Sequence, residues 1–319
     1  YMKLKKLSKI LLLSSILTLG IGCARTEKAN VEEDKLKVSL ILDEGGVNDA
    51  SFNESAWNGA LEAKEKYGVE VNYIEAKQES DYASNIESAI DQEADLIIGV
   101  GFKLANTIEE AAKLYPEQKF AAIDCAYENI PSNVQPILFN EEEAGYAAGL
   151  VAANMTKTNK IGFVGGMDIP SVTNFLVGFE KAIKEENKDI EVLSQYANSF
   201  TDSSKGRVIA EQMIKNKADI IFTAGGGVNF GVFEACKEKN IKAIGVDMPS
   251  NYIEPDTIIT SALKNVGVGV ELTIQDLVNE QFEGGKVKMF DLSNGGVGYE
   301  VTDHLPKELI EYVDSKINK

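Results

Sequence analysis

Residues 36–74 read LKVSLILDEGGVNDASFNESAWNGALEAKEKYGVEVNYI, and the fold can be predicted from this stretch. Two short apolar runs, at 36–42 and 69–74, enclose a segment at 55–67 with the apolar spacing of a helix. Short apolar runs are typical of buried strands, and a helix between two of them predicts a βαβ unit with parallel strands. A polar loop follows the point where the first strand ends.

The same alternation continues along the chain, with a break near residues 125–140. Further strands are predicted at 95–100, 119–124, 135–139, 160–165, 190–196, 219–223, 242–246, 258–262, 286–291 and 298–301, and further helices at 82–92, 107–114, 142–155, 172–186, 205–216, 230–239, 266–280 and after Pro306. This pattern predicts an α/β protein with two doubly wound lobes, each built on a parallel sheet. The tail cannot complete a lobe alone, so we expect several crossovers, with an N-terminal lobe at 36–130 plus about 256–283 and a C-terminal lobe at 131–255 plus about 284–319.

Charge and composition exclude several classes of function. The 319 residues include 32 Lys and Arg against 50 Asp and Glu, a net charge of −18. Such an acidic surface repels phosphate backbones, so we expect no nucleic-acid partner. One histidine and three cysteines are too few for a multi-histidine metal site or a four-thiolate zinc site, and we expect neither a metal nor a cofactor. Cys125 and Cys236 lie in apolar surroundings, and we expect two reduced buried thiols rather than a disulfide.

The N-terminus has the features of a lipoprotein export signal. Four lysines at positions 3–9 precede a short apolar segment that ends in LGIGC at 19–23. Small residues before a lone cysteine are typical of the bacterial lipobox, so we predict a signal peptide at 1–22, lipidation of Cys23 and a polar tether at 23–35. The protein would then be lipid-anchored on the outer face of the cell membrane. A buried anchor helix with an incidental cysteine is the alternative.

Polar residues and glycines collect where predicted strands end. Asp43, Asp124 and Asp247 each follow a strand, Lys264 follows another, and a glycine run occupies 225–227. Ligands of open α/β sheets bind at the carboxyl ends of strands, so these residues are candidates for one binding site. Alternatively, each aspartate caps the helix that follows it, and the glycine run permits close packing of a helix on the sheet.

We expect no catalytic residues. The chain has a single histidine, and it contains neither the Gly-x-Ser-x-Gly nor the His-Glu-x-x-His motif. A pair of carboxylates could still perform acid–base catalysis, so a carboxylate-dependent nucleoside hydrolase is a second hypothesis.

Several motifs occur together in a known family. The stretch DEGGVNDASFN at 43–53 resembles the opening signature of the basic membrane protein family, and EAGYAAGLVAA at 143–153, KIGFVGG at 160–166 and SFTDSSKG at 199–206 follow in the same order. These proteins are lipoprotein substrate-binding proteins of ABC importers and include purine nucleoside receptors. The resemblance implies a type I periplasmic-binding-protein fold whose lobes close on a ligand, with ABC permease and ATPase subunits as partners.

The resemblance also implies which residues bind a nucleoside. Phe52 and Phe200 match the two phenylalanines that sandwich the purine, although core packing is an alternative for both. Asp43, together with Asn48 or Asp49, would accept hydrogen bonds from the base, and Asp124 is similarly placed. The ribose would be bound by Asp247, Lys264 and the backbone of Gly226 and Gly227. Alternatively, the protein binds a different small neutral ligand such as a sugar, or it is a surface antigen or adhesin. A transcription regulator of the same fold is a further alternative, but such a regulator needs a basic helix-turn-helix, and the N-terminus has an export signal instead.

Overall fold

A computed structural model describes residues 35–318 of the chain. The predicted signal peptide, Cys23 and all but the last residue of the predicted tether lie outside the described residues. The strands are β1 Lys37–Leu42, β2 Glu70–Glu75, β3 Leu96–Val100, β4 Lys119–Ile123, β5 Val134–Phe139, β6 Lys160–Gly165, β7 Glu191–Tyr196, β8 Ile220–Ala224, β9 Lys242–Asp247, β10 Ile258–Lys264, β11 Lys288–Phe290 and β12 Val297–Tyr299. The helices are α1 Phe52–Tyr67, α2 Tyr82–Asp91, α3 Ala105–Leu114, α4 Glu141–Met155, α5 Pro170–Glu186, α6 Ser203–Lys215, α7 Val228–Glu238, α8 Val266–Val278 and α9 Lys307–Ile317.

Two six-stranded sheets form two lobes with the same strand order. The first sheet runs β11-β5-β4-β3-β1-β2 and is entirely parallel, while the second runs β12-β10-β9-β8-β6-β7 and is parallel except for β12. In each lobe the second strand in sequence, β2 or β7, lies at the edge of the sheet next to the first strand, β1 or β6. The later strands extend the sheet on the other side of the first strand, as in flavodoxin-like folds. The predicted α/β fold with two doubly wound lobes is confirmed.

The core lies between the sheets and the helices on their faces. Every residue of the central strands β3 and β8 is buried, whereas the edge strands β2 and β7 contain no fully buried residue. Central strands covered by helices on both faces need apolar side chains on both sides, which explains their continuous apolar sequences. Cys125 and Cys236 are both buried and free, as predicted.

Across the residues that the structure describes, the chain crosses between the lobes three times. The crossovers follow β5, β10 and β11, and Asn140 and Asn265 occupy equivalent positions at the first two, each just before a helix. Strand pairing corrects the expected lobe boundaries, because β5 pairs with β4 in the first lobe and β10 pairs with β9 in the second. β11 also pairs with β5 in the first lobe, so the lobes exchange after residues 139, 264 and 290 rather than near 130, 255 and 283. Within residues 35–318, each helix is too short or too polar to cross a bilayer.

Candidate functional site

A cleft lies between the carboxyl ends of the strands of both lobes, and it encloses about 600 Å³ of space, part of which is open to solvent. Most of the residues predicted for the site line it, namely Asp43, Asp49, Phe52, Asp124, Phe200, Gly226, Asp247 and Lys264. Asn48 and Gly227 are not among the lining residues, and the side chain of Asn48 is exposed.

Aromatic rings line the cavity from both lobes. Phe52 is the first residue of α1 in the first lobe, and Phe200 lies in the loop between β7 and α6 of the second. Phe102, which sequence reasoning missed, follows β3 and meets Phe200 edge to face, with ring centroids 6.4 Å apart at 63°. The position of Phe102 just beyond a strand end is the signal that could have identified it. Apolar faces from both lobes favour a flat ligand.

The glycine run fixes the position of Phe200. The Gly227 N–H donates a hydrogen bond to the Phe200 carbonyl at 2.8 Å, so this N–H is used within the protein instead of serving a ligand as expected. Gly226 has a φ of +58°, and a Cβ there would lie 3.0 Å from the same carbonyl oxygen. Only glycine meets both conditions without strain, which explains why the run follows β8.

The loop after β1 organises the beginning of α1. The Asp49 carboxylate accepts hydrogen bonds from the backbone N–H groups of Ser51, Asn53 and Glu54 at 2.9–3.1 Å. It therefore satisfies free donors in the first turn of α1 and holds Phe52 in position. Helix capping was the alternative role for Asp43, but the side chain that accepts hydrogen bonds from the N–H groups at the beginning of α1 is Asp49.

Asp43 presents acceptors to the cavity together with a neighbouring amide. Its Oδ1 accepts hydrogen bonds from the Gly45 N–H at 2.9 Å and from Asn53 Nδ2 at 2.8 Å. Asn53 is 2% exposed, and its Oδ1 has no hydrogen-bond partner among the described residues. Burial raises the pKa of Asp43, because the charged carboxylate loses contact with water.

A buried ion network joins the two lobes beside the cavity. Lys264 Nζ lies 2.7 and 2.6 Å from the two carboxylate oxygens of Asp124 and 2.8 Å from Oε1 of Glu141. Asp124 belongs to the first lobe, whereas Lys264 and Glu141 belong to the second. Burial raises the pKa of Asp124 to about 6, although Lys264 acts in the opposite direction. Burial alone would lower the pKa of Lys264, but the neighbouring carboxylates outweigh it and raise that pKa, so the ammonium group stays charged.

Asp247 is the counterpart of Asp124 in the second lobe. Each of these residues stands at the end of the fourth strand of its lobe with a left-handed backbone, φ being +59° for Asp124 and +65° for Asp247. Aspartate adopts this conformation more readily than most residues. The Ser51 hydroxyl donates a hydrogen bond across the lobes to Asp247. Burial raises the pKa of Asp247 to about 7, while Lys264 and Ser51 oppose the shift.

The site is rich in acceptors and poor in free cations. Within residues 35–318, Lys264 is the only cationic side chain that lines the cavity, and its ammonium group is bound by two carboxylates. The same residues contain no cluster of histidine, cysteine, aspartate or glutamate side chains that could hold a metal ion. The arrangement suits a ligand with flat apolar faces and several hydrogen-bond donors.

Comparison with known proteins places this geometry in context. A family model described as ABC transporter substrate-binding protein PnrA-like matches residues 35–319. Basic membrane protein A of Borreliella burgdorferi is 36% identical over 326 residues, which cover 99% of this chain and 94% of that protein. The ABC transporter nucleoside-binding protein BmpA of Lactococcus lactis is 34% identical over 310 residues, covering 88% of both. Among solved structures, an ABC transporter solute-binding protein from Aeropyrum pernix superposes with a TM-score of 0.78 at 33% identity, covering 89% of this chain and 86% of that one.

Proposed function

This chain belongs to the PnrA-like family of ABC transporter substrate-binding proteins, and from this premise we propose that it binds a purine nucleoside between its lobes for delivery to a permease. One observation carries the proposal. Phe52 and Phe200 line a single cavity from opposite lobes, and two acceptors, the half-buried Asp43 and the buried Asp247, line the same cavity. The relative from Lactococcus lactis that is named nucleoside-binding supports the same ligand class.

The chemistry of a nucleoside matches these groups. A purine has two flat faces, and stacking on an aromatic side chain contributes ~1–3 kcal/mol per base. Ribose hydroxyls are donors, and an ionised carboxylate is a strong acceptor for them. We assign the base to Phe52, Phe200 and Asp43, and the ribose to Asp247 and the Gly226 backbone.

The charge of the cavity favours nucleosides over nucleotides. Four aspartates line it, whereas the single lysine is already paired with Asp124 and Glu141. A phosphate group would meet like charges in a site of low dielectric constant, and no residue within 35–318 offers it a free cation there. We therefore expect nucleoside 5′-monophosphates to bind far more weakly than the corresponding nucleosides.

Binding would close the lobes, because the ligand gains contacts from both only in the closed arrangement. The closed shape would then be recognised by the membrane subunits of an ABC importer. Lipidation of Cys23 would hold the receptor at the outer face of the membrane near those subunits.

The experiment combines ligand identification with one substitution. Mass spectrometry of small molecules released from the denatured protein should detect a purine nucleoside. Calorimetry on protein refolded without ligand should then show that Phe52→Ala lowers nucleoside affinity by about 5- to 150-fold, the equivalent of ~1–3 kcal/mol. Phe230→Ala is a matched control, because Phe230 lies on α7, is 40% exposed and does not line the cavity. Equal affinities of the two variants, with unchanged circular dichroism, would remove Phe52 from the site.

A further inference from the structure

Glu141 is a buried carboxylate beside the cavity that the proposed ligand contacts leave unused. It is the first residue of α4 and is 3% exposed. One of its oxygens lies 2.8 Å from Lys264 Nζ, and the other accepts a hydrogen bond from Asn174 Nδ2 at 3.2 Å. Glu141 does not line the cavity, so any effect that it has on a ligand must pass through Lys264.

We propose that Glu141 is a positioning residue for ligand binding, which holds Lys264 in place and thereby sets the charge that Asp124 presents to the ligand. This inference rests on the proposed function, because it concerns the same cavity and uses a nucleoside as the probe.

The three charged groups differ in how they depend on lobe closure. Glu141 and Lys264 both belong to the second lobe and lie next to crossovers, one after Asn140 and the other before Asn265. Their contact can therefore persist when the lobes separate. Asp124 belongs to the first lobe, so its contact with Lys264 is the one that crosses between the lobes. Glu141 thus keeps the ammonium group where Asp124 will meet it.

The network also sets the proton affinity of Asp124 through opposing charges. An ammonium group has three donors, and in the structure they are shared between the two oxygens of Asp124 and one of Glu141. Lys264 stabilises the ionised form of Asp124, whereas the charges of Glu141 and Asp247 oppose it.

Two further groups close to Asp124 are uncharged. The Ser171 hydroxyl favours the ionised form of the Asp124 carboxylate. Cys125 follows it in the chain, and burial raises the pKa of that thiol so that it stays protonated at neutral pH. Substitutions of Glu141 and Lys264 must therefore shift the titration of Asp124 in opposite directions.

The test is the pH dependence of nucleoside affinity, measured by calorimetry from pH 4.5 to 8 on protein refolded without ligand. The wild-type affinity should fall as the pH drops, first as Asp247 and then as Asp124 becomes protonated, and the second, lower-pH fall reports on Asp124. Glu141→Gln keeps the hydrogen-bond acceptor but removes the charge, so the midpoint of this fall should move to lower pH. Lys264→Gln should move it to higher pH. Glu142→Gln is the matched control, because Glu142 is the next residue of the same helix and is exposed. It should leave the midpoint unchanged.

Two further variants tie the effect to the proposed residues. In an Asp124→Asn background the lower-pH fall should disappear, so Glu141→Gln should no longer cause the shift assigned to Asp124. Glu141→Asp keeps the charge but shortens the side chain that reaches Lys264. It should therefore weaken nucleoside binding while shifting the midpoint less than Glu141→Gln does. This variant replaces Lys264→Gln in the test if Lys264→Gln fails to fold. A Glu141→Gln midpoint that is unmoved, or that moves to higher pH, overturns the inference while nucleoside binding stands. Failure of wild-type protein to bind any nucleoside refutes the proposed function instead.

Discussion

Replacing Asp247 with asparagine should change how the stability of the protein depends on pH. Burial raises the pKa of Asp247 from 3.8 to about 7, against the opposing effects of Lys264 and the Ser51 hydroxyl. Between about pH 4 and pH 7, the folded protein therefore holds a proton on this carboxyl group that the unfolded chain has released. The free energy of unfolding consequently falls as the pH rises through this window, by about 1.4 kcal/mol per pH unit for one such group.

From pH 5 to pH 7, Asp247 alone should lower the unfolding free energy of the wild-type protein by about 2 kcal/mol, because the slope falls to half its full value as the pH reaches the pKa. Asp247→Asn cannot show this loss, because an amide does not titrate. Asp43, Asp49 and Asp124 also have raised pKa values, and they contribute with the same sign to both proteins. The difference between the two profiles therefore reports on Asp247, both directly and through the effect of its charge on Asp49 and Asp124.

The assay is urea denaturation at half-unit steps of pH. The protein is first refolded from denaturant and dialysed, because a retained ligand would stabilise the folded state by mass action. The wild-type protein should lose stability from pH 5 to pH 7, and the variant should have a profile that is flatter by about 2 kcal/mol over that interval. Parallel profiles would show that Asp247 is not a buried, titrating carboxyl group and would refute the reasoning.

Two further substitutions test how the site is assembled. Gly226→Ala should cost about 1–2 kcal/mol of stability through its left-handed backbone and should also weaken nucleoside binding at least several-fold, because the added Cβ displaces Phe200. Gly68→Ala is the control, because Gly68 has a φ of +72° and no atom lies within 4 Å of the added Cβ. It should cost similar stability in thermal denaturation but leave nucleoside affinity unchanged. Equal affinities of the two variants would contradict the role of Gly226. Nucleoside affinity should rise with pH as Asp247 ionises. Ser51→Ala removes a hydrogen-bond donor to the ionised form of Asp247 and so raises the pKa of this carboxyl group. In this variant the affinity should therefore reach half its maximum at a higher pH. A half-maximum that stays in place or moves to lower pH would exclude this donor role.

Strand ends were the most informative feature of the sequence. Ligands of open α/β sheets bind at the carboxyl ends of the strands, and this rule predicts Asp43, Asp124 and Asp247 at one site. All three residues line the same cavity. The rule applies equally to Phe102 and Glu141, which also lie just beyond strand ends but were missed. Nothing local distinguishes Glu141 from its two glutamate neighbours in the sequence, although it is buried and Glu142 is exposed.

Features that depend on distant parts of the chain could not be predicted in detail. The apolar runs of β5 and β10 identify them as strands, but their assignment to a sheet depends on pairing with β4 and β9. For this reason the expected lobe boundaries were wrong by about ten residues. The choice between Asn48 and Asp49 depends on the hydrogen bonds of the loop, which aim Asp49 at the beginning of α1 and leave Asn48 exposed.

The most direct test of the account is a crystal structure of the protein with a purine nucleoside bound. We predict that the base lies between the rings of Phe52 and Phe200, with a ribose hydroxyl donating a hydrogen bond to Asp247. A nucleoside bound outside the cavity, or one inside it that contacts neither ring, would contradict the central claim that the two lobes grip a flat ligand between aromatic side chains.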